Sequence, residues 1–143
     1  MNTPTAPSPE TIRRAAVFWE QAQEDIKAAK SARNSGEHLQ SGFFSLQAAI
    51  NALSAVCHLQ GHYRLPPSVD ELLRLCVTAD PLFAKMIGDS EGLVQVAERN
   101  PFTPGGSPAD DAAESKRCLQ EAKTVLRAVR AYLKKNRGRF FPP

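Results

Sequence analysis

Residues 19–53 read WEQAQEDIKAAKSARNSGEHLQSGFFSLQAAINAL. Two helix-period patterns meet in this stretch at one short turn, Asn34-Ser35-Gly36. Upstream, Ala15, Phe18, Trp19, Ala22, Ile26 and Ala29 recur at steps of three and four, which predicts one apolar stripe on a helix. Ser8 can cap that helix and Pro9 suits its first turn, so it is expected from Pro9 or Glu10 to about Arg33. Downstream, Leu39, Phe43, Leu46, Ile50, Leu53 and Cys57 make a second stripe on a helix expected from Glu37 to Leu59, stopped by Gly61. This second helix carries another stripe of mostly small residues: Phe44, Ala48, Ala52 and Ala55. A helix apolar on two faces is either central to its own bundle or shared with a partner. The expectation adopted is the partner, a homodimer formed through those four residues.

Beyond Leu59 the pattern stays helical. Leu65-Pro66-Pro67 is a stiff connector, and Ser68 with Glu71 reads as a capping box opening a short helix. Asp80-Pro81 begins another segment, Gly88 and Gly92 interrupt it, and Leu93, Val94 and Val96 resume it as far as Arg99-Asn100-Pro101. Residues 100–108 (NPFTPGGSP) hold three prolines and two glycines, which predicts a loop. A last helix follows, with Ala112, Leu119, Ala122, Val125, Leu126, Val129 and Leu133 on its buried side. No segment alternates with period two. The fold expected is all-α, an up-and-down bundle of four to five helices. Residues 10–136 should form one domain, with a disordered segment 1–9 before it and a flexible basic, Pro-rich tail 137–143 after it.

Composition narrows the function classes. The chain has 143 residues, of which 42% are hydrophobic, enough for one ordinary core. No apolar run approaches the ~18–20 residues of a membrane span. The opening MNTPTAPSPE lacks the basic flank and apolar core of a signal peptide, so a cytoplasmic location is expected. Cys57, Cys76 and Cys118 are widely spaced and sit among apolar residues, so they read as buried free thiols. No acidic residue follows Glu121, whereas seven basic ones do, leaving 11 basic against 15 acidic residues and a net −4 in the first 121 positions. Lys134, Lys135, Arg137 and Arg139 could therefore contact nucleic acid, or simply complement a helix C-terminus.

Individual candidates are few. His58 and His62 are four apart, but Gly61 should turn the two rings apart and no third ligand is near, so neither a metal nor another cofactor is expected. Glu24 and Asp25 are adjacent and point about 100° apart, which excludes a paired-carboxylate centre. Asp25 lies near the apolar stripe and needs a partner there, either a hydrogen bond or ion pair to a neighbouring helix or a place in a cleft. Trp19 and Phe43-Phe44 fit core or interface better than a base-stacking platform.

In order and spacing, the chain resembles the HEPN family, a nucleotide-binding helical domain of prokaryotes and higher eukaryotes. The family's first helix carries an aromatic, an acid followed by a hydrophobic residue, then Ala-x-Lys, matched by Trp19, Asp25-Ile26 and Ala28-Ala29-Lys30. A Gly-centred turn follows, matched by Gly36. The second helix carries an aromatic and then Q-Q-A-x-E-K-A-L-K-A, matched by Phe43-Phe44, Gln47, Ala48, Ala52, Leu53 and Ala55, while Ile50 and Asn51 replace the usual Glu-Lys. The H-D-L-x-x-L pattern appears as Asp70-Glu71-Leu72-Leu73-Arg74-Leu75, and R-Y-P as Arg99-Asn100-Pro101. The resemblance spans roughly residues 15 to 135.

That resemblance implies a helical bundle, often dimeric, and frequently encoded beside a minimal nucleotidyltransferase in a toxin–antitoxin-like pair. Some members are metal-independent ribonucleases that use an Arg, a polar residue after it, and a His four to six positions beyond the Arg. The His would move the proton and the Arg would offset charge on the phosphoryl oxygens. Arg99 and Asn100 supply the first half. Thr103, Pro104 and Gly105 occupy the positions for the His, and none is a general base near neutrality. The expectation is therefore a non-catalytic module that binds a nucleotide, RNA or a protein partner, with Arg99, Asn100 and Asp25 as binding candidates. The alternatives are a ribonuclease using Arg99-Asn100 and a purely structural dimeric adaptor.

Overall fold

The computed structural model describes residues 7–98 and 108–137. Six α-helices and one 3-10 turn occupy them: α1 (Pro9–Asn34), α2 (His38–Leu59), α3 (Val69–Ala79), a 3-10 turn (Pro81–Phe83), α4 (Lys85–Gly88), α5 (Glu91–Glu98) and α6 (Pro108–Lys135). There is no strand among the described residues. The helix count slightly exceeds the four to five expected, because the glycine-interrupted segment splits into the 3-10 turn, the four-residue α4 and the eight-residue α5.

Local chemistry sets the boundaries. The Ser8 side chain accepts from the Thr11 N–H at 3.1 Å, and Pro9 opens α1 where its missing donor costs nothing. At the other end Gly36 takes φ 78°, which lets Glu37 N–H reach Ala32 O (2.8 Å) and Gly36 N–H reach Arg33 O (3.0 Å). Those two bonds close α1 and reverse the chain within three residues. The same device ends α2: Gly61 takes φ 91°, with His62 N–H on Cys57 O at 3.1 Å. Ser68 accepts from Glu71 N–H at 3.4 Å and starts α3.

α2 is the central element. It packs on α1, α6, α3 and α5. Ala48, Ala52 and Ala55 are fully buried within the single chain. The homodimer face expected there is therefore not available. With neighbours on every side, the small residues serve close helix approach inside the bundle rather than contact with a mate. Phe44 is half-buried, packed against the core, with its ring centroid 6.1 Å from that of Phe43. The centrality of α2 also accounts for its composition. By length and composition it could cross a membrane, yet most of its apolar stretch is buried inside the fold. Short side chains make the α1–α2 seam tight: Ala22 and Ala29 are fully buried, and Ser41 Oγ donates to Ala29 O at 2.8 Å.

α6 closes the bundle. Cys118, Ala122, Val125, Val129 and Tyr132 of α6 are buried, and the Tyr132 hydroxyl pairs with the Gln60 amide at the end of α2. Leu133, expected inside, is only half-buried, and Tyr132 takes the interior position beside Phe83. At the opposite end His38 Nδ1 lies 2.9 Å from Ser115 Oγ.

Candidate functional site

Arg99 and Asn100 lie outside the described residues, as does Arg139. What the structure describes is the helix that leads to them. α5 is anchored at its start by Glu121 of α6, whose carboxylate accepts from Gly92 N–H (3.3 Å) and Leu93 N–H (3.1 Å). Arg117 holds the same carboxylate at 3.0 Å and reaches Glu91 at 3.0 Å. A carboxylate on the first N–H groups of a helix satisfies orphan donors and complements the dipole.

Asp25 is buried, and its neighbours are neutral. Gln21 Nε2 donates to Oδ1 at 2.9 Å and Asn51 Nδ2 to Oδ2 at 2.8 Å. The partner that a buried carboxylate requires thus comes from α2, and Asn51 supplies it from the position where the family pattern has Lys. Both oxygens are engaged within the α1–α2 seam.

The basic end of α6 divides. Lys135 Nζ sits 3.2 Å from Asp80 Oδ2. Asp80 in turn accepts from Leu82 N–H at 3.0 Å, and these contacts hold its carboxyl below the usual carboxylate range, the Leu82 bond first. Lys135 thereby ties the end of α6 to the start of the 3-10 turn. Lys134 and Arg137 are exposed.

A different set of cations converges. Lys30 on α1 and Lys123, Arg127 and Arg130 on α6 line a cleft of about 300 Å³, floored by Ile26 and Leu126. The Arg130 guanidinium lies 5.9 Å from the Trp19 ring centroid, within range of a cation–π contact. Lys123, Arg127 and Arg130 fall at i, i+4 and i+7, so one face of α6 presents all three beside the buried stripe. No carboxylate lines the cleft, and Lys30, Lys123 and Arg127 form no ion pair among the described residues. The lining offers no His, Cys, Ser or acid, hence no general base or nucleophile. Such a surface suits phosphate oxygens and holds them without reacting. Sequence reasoning placed the nucleic-acid candidates at the extreme end of α6 and missed this cleft. The i, i+4, i+7 spacing was visible, but Lys30 joins it only through the packing of α1 on α6.

The thiols are buried and free. Cys57 and Cys76 face each other with 3.6 Å between sulfurs, each also directed at a backbone carbonyl of the other's helix. The hydrogen bond to Cys57, with burial, pushes the Cys76 thiol far above its ordinary value. Among the described residues no group of three His, Cys, Asp or Glu side chains could hold a metal.

No curated protein matches this chain. The fold is similar to the crystal structure of an archaeal HEPN homologue, with a TM-score of 0.63 at 22% identity, over 82% of this chain and 96% of the other. The HEPN domain family model matches residues 15–132, a span from the second turn of α1 to the last turn of α6. On that match this chain belongs to the HEPN domain family.

Proposed function

We propose that the chain is a non-catalytic HEPN module that binds RNA or a nucleotide through the α1–α6 cleft. The observation that carries this reading is the convergence of Lys30, Lys123, Arg127 and Arg130 on one volume whose lining has no carboxylate. Family membership supports a nucleotide- or RNA-related role, and the Trp19 ring beneath Arg130 helps to hold that guanidinium at the cleft. The missing general base argues against turnover: Thr103, Pro104 and Gly105 stand where ribonuclease members place His. The toxin–antitoxin-like pairing with a minimal nucleotidyltransferase belongs to the same reading, with the module as the binding half.

The test is a titration of fluorescent single-stranded RNA, and separately of ATP, with anisotropy or calorimetry at several salt concentrations. Each phosphate contact should contribute ~0.7 to the slope of log K against log salt on a single strand. Arg127→Gln and Lys123→Gln should each weaken binding and lower that slope. RNA should remain intact in chelator. If neither RNA nor ATP binds, the proposal fails. If RNA is cut and Arg99→Ala abolishes the cut, the ribonuclease reading replaces it.

A further inference from the structure

A second cleft, of about 290 Å³, opens where the first half of α1 meets the end of α2. Arg14, Val17 and Phe18 of α1 line it with His58 of α2 and with Tyr63 and Leu65 of the connector that follows. Its volume lies near the lower end of small-molecule sites. Nothing in the family pattern, and nothing in the α1–α6 cleft, uses these residues.

Three independent features set this cleft apart. The first is exposed apolar surface. Val17 and Tyr63, at 62% and 67% exposure, are the large hydrophobic side chains left exposed among the described residues, and both line this one cleft. The second is an aromatic cluster around a histidine. The His58 ring meets Phe18 edge-on at 5.9 Å between centroids and Tyr63 edge-on at 5.2 Å. The third is an unmet hydrogen bond. His58 is only 5% exposed, and its Nε2 has no hydrogen-bond partner among the described residues. Buried polar atoms are nearly always partnered, so an unmet ring nitrogen on a residue that lines a cleft points to a ligand group that reaches it as the ring turns. Burial, with Arg14 adding to it, holds the imidazole below its ordinary value, so the ring is neutral near pH 7 and offers a hydrogen bond rather than a charge.

We propose that this cleft binds a small planar aromatic anion, with its ring among Phe18, Tyr63 and Val17, its charged group on Arg14, and a polar edge on His58. Charge complementarity selects an anion, because Arg14 is the cation of the lining and no carboxylate lines the cleft. Arg14 currently contacts Glu10 at 3.0 Å, but both side chains are about two-thirds exposed, so that pair is weak and exchangeable. The ring cluster selects a flat partner, since edge-to-face and offset contacts reward aromatic geometry beyond simple burial. The volume limits it to one or two rings.

The experiment uses the intact protein with benzoate as the probe, acetate as the aliphatic anion and benzyl alcohol as the uncharged ring. Proton NMR follows the His58 and Tyr63 ring resonances. Benzoate should give saturable shifts at both rings, with a Kd on the order of 1 mM or tighter. Acetate should leave them unmoved, and benzyl alcohol should bind about tenfold more weakly. Arg14→Gln and Tyr63→Ala, both at exposed side chains, should each weaken benzoate about tenfold while leaving the melting temperature within a few degrees. Absence of saturable shifts overturns the proposal. So do equal shifts with acetate. A dimer in solution that Tyr63→Ala converts to monomer also overturns it, by assigning the exposed rings to a second copy. Loss of RNA binding at the α1–α6 cleft would not bear on the outcome, since no residue is shared.

Discussion

Asn51 Nδ2 donates to Asp25 Oδ2 at 2.8 Å across the seam between α1 and α2. With Gln21 on the other oxygen, a buried carboxylate is satisfied by two neutral amides. The bond sets register, because sliding either helix by one turn would leave Oδ2 buried without its partner, with only Gln21 of the same helix still on Oδ1. Asn51→Leu should therefore destabilise the protein by about 1–3 kcal/mol, the cost of orphaning a buried acceptor. Removing both partners, Asp25→Leu with Asn51→Leu, should cost less than the sum of the singles. Urea unfolding of the four proteins measures this. Strict additivity would show that the two residues do not depend on each other.

The start of α5 offers a test in which a substitution changes sign. A Cβ at Gly92 would lie 3.0 and 3.1 Å from the Glu121 carboxylate oxygens and 3.2 Å from Arg117 Cδ. Helix propensity favours alanine over glycine by up to ~1 kcal/mol, but here the methyl displaces the carboxylate that caps α5. Gly92→Ala should destabilise by about 1 kcal/mol in the native background. In a Glu121→Ala background the two carboxylate contacts are gone and Arg117, freed of its Glu121 bond, can swing its flexible Cδ aside, so the same change should stabilise by ~0.5 kcal/mol. Melting curves of the cycle decide it. Equal effects in both backgrounds would mean that Glu121 does not hold α5.

Asp80 predicts an acid limb. Its carboxyl titrates below the usual range because Leu82 N–H and Lys135 favour the charged form in the folded state. The unfolded chain then binds the proton more readily than the folded one. The resulting stability is present above about pH 4 and is lost as pH falls through the lowered value. Asp80→Asn should melt below the native protein near neutrality, with the gap closing as pH falls through the lowered value. Lys135→Gln should have a smaller effect, since its side chain is 69% exposed. A gap independent of pH would remove Asp80 from the titration.

What the sequence made legible was local. Ser8-Pro9, Gly36 and Gly61 are signals confined to a few residues, and the α1 and α2 boundaries follow them to within a residue or so. The apolar stripes likewise predicted Leu53, Cys57, Val125 and Val129 inside. What covers a stripe is not local. Ala48, Ala52 and Ala55 looked the same whether a second copy or α1 and α6 lay over them. Tyr132 sits in a charged stretch, and contacts distant in sequence, with Gln60 72 positions earlier and with Phe83, account for its burial. The α1–α6 cleft was hidden for the same reason: Lys30 and Arg127 are neighbours only in three dimensions.

The cleft and the end of α6 can be separated by a single spectroscopic probe. Trp19 is the chain's one tryptophan, and Arg130 lies over its ring. Arg130→Ala should therefore shift native emission without unfolding, and RNA entering the cleft should change emission along the same binding curve that anisotropy reports. Lys135 is already held by Asp80, and Lys134 and Arg137 stand exposed beside it, whereas Lys30, Lys123 and Arg127 face one shared volume. Neutralising Lys123 and Arg127 together should lower the salt slope by about 1.4 and weaken RNA binding at least tenfold near physiological salt. Neutralising Lys134 and Arg137 together should cost less and leave the emission change intact. The reverse ranking, or RNA binding with no response from Trp19, would move the contact surface to the end of α6.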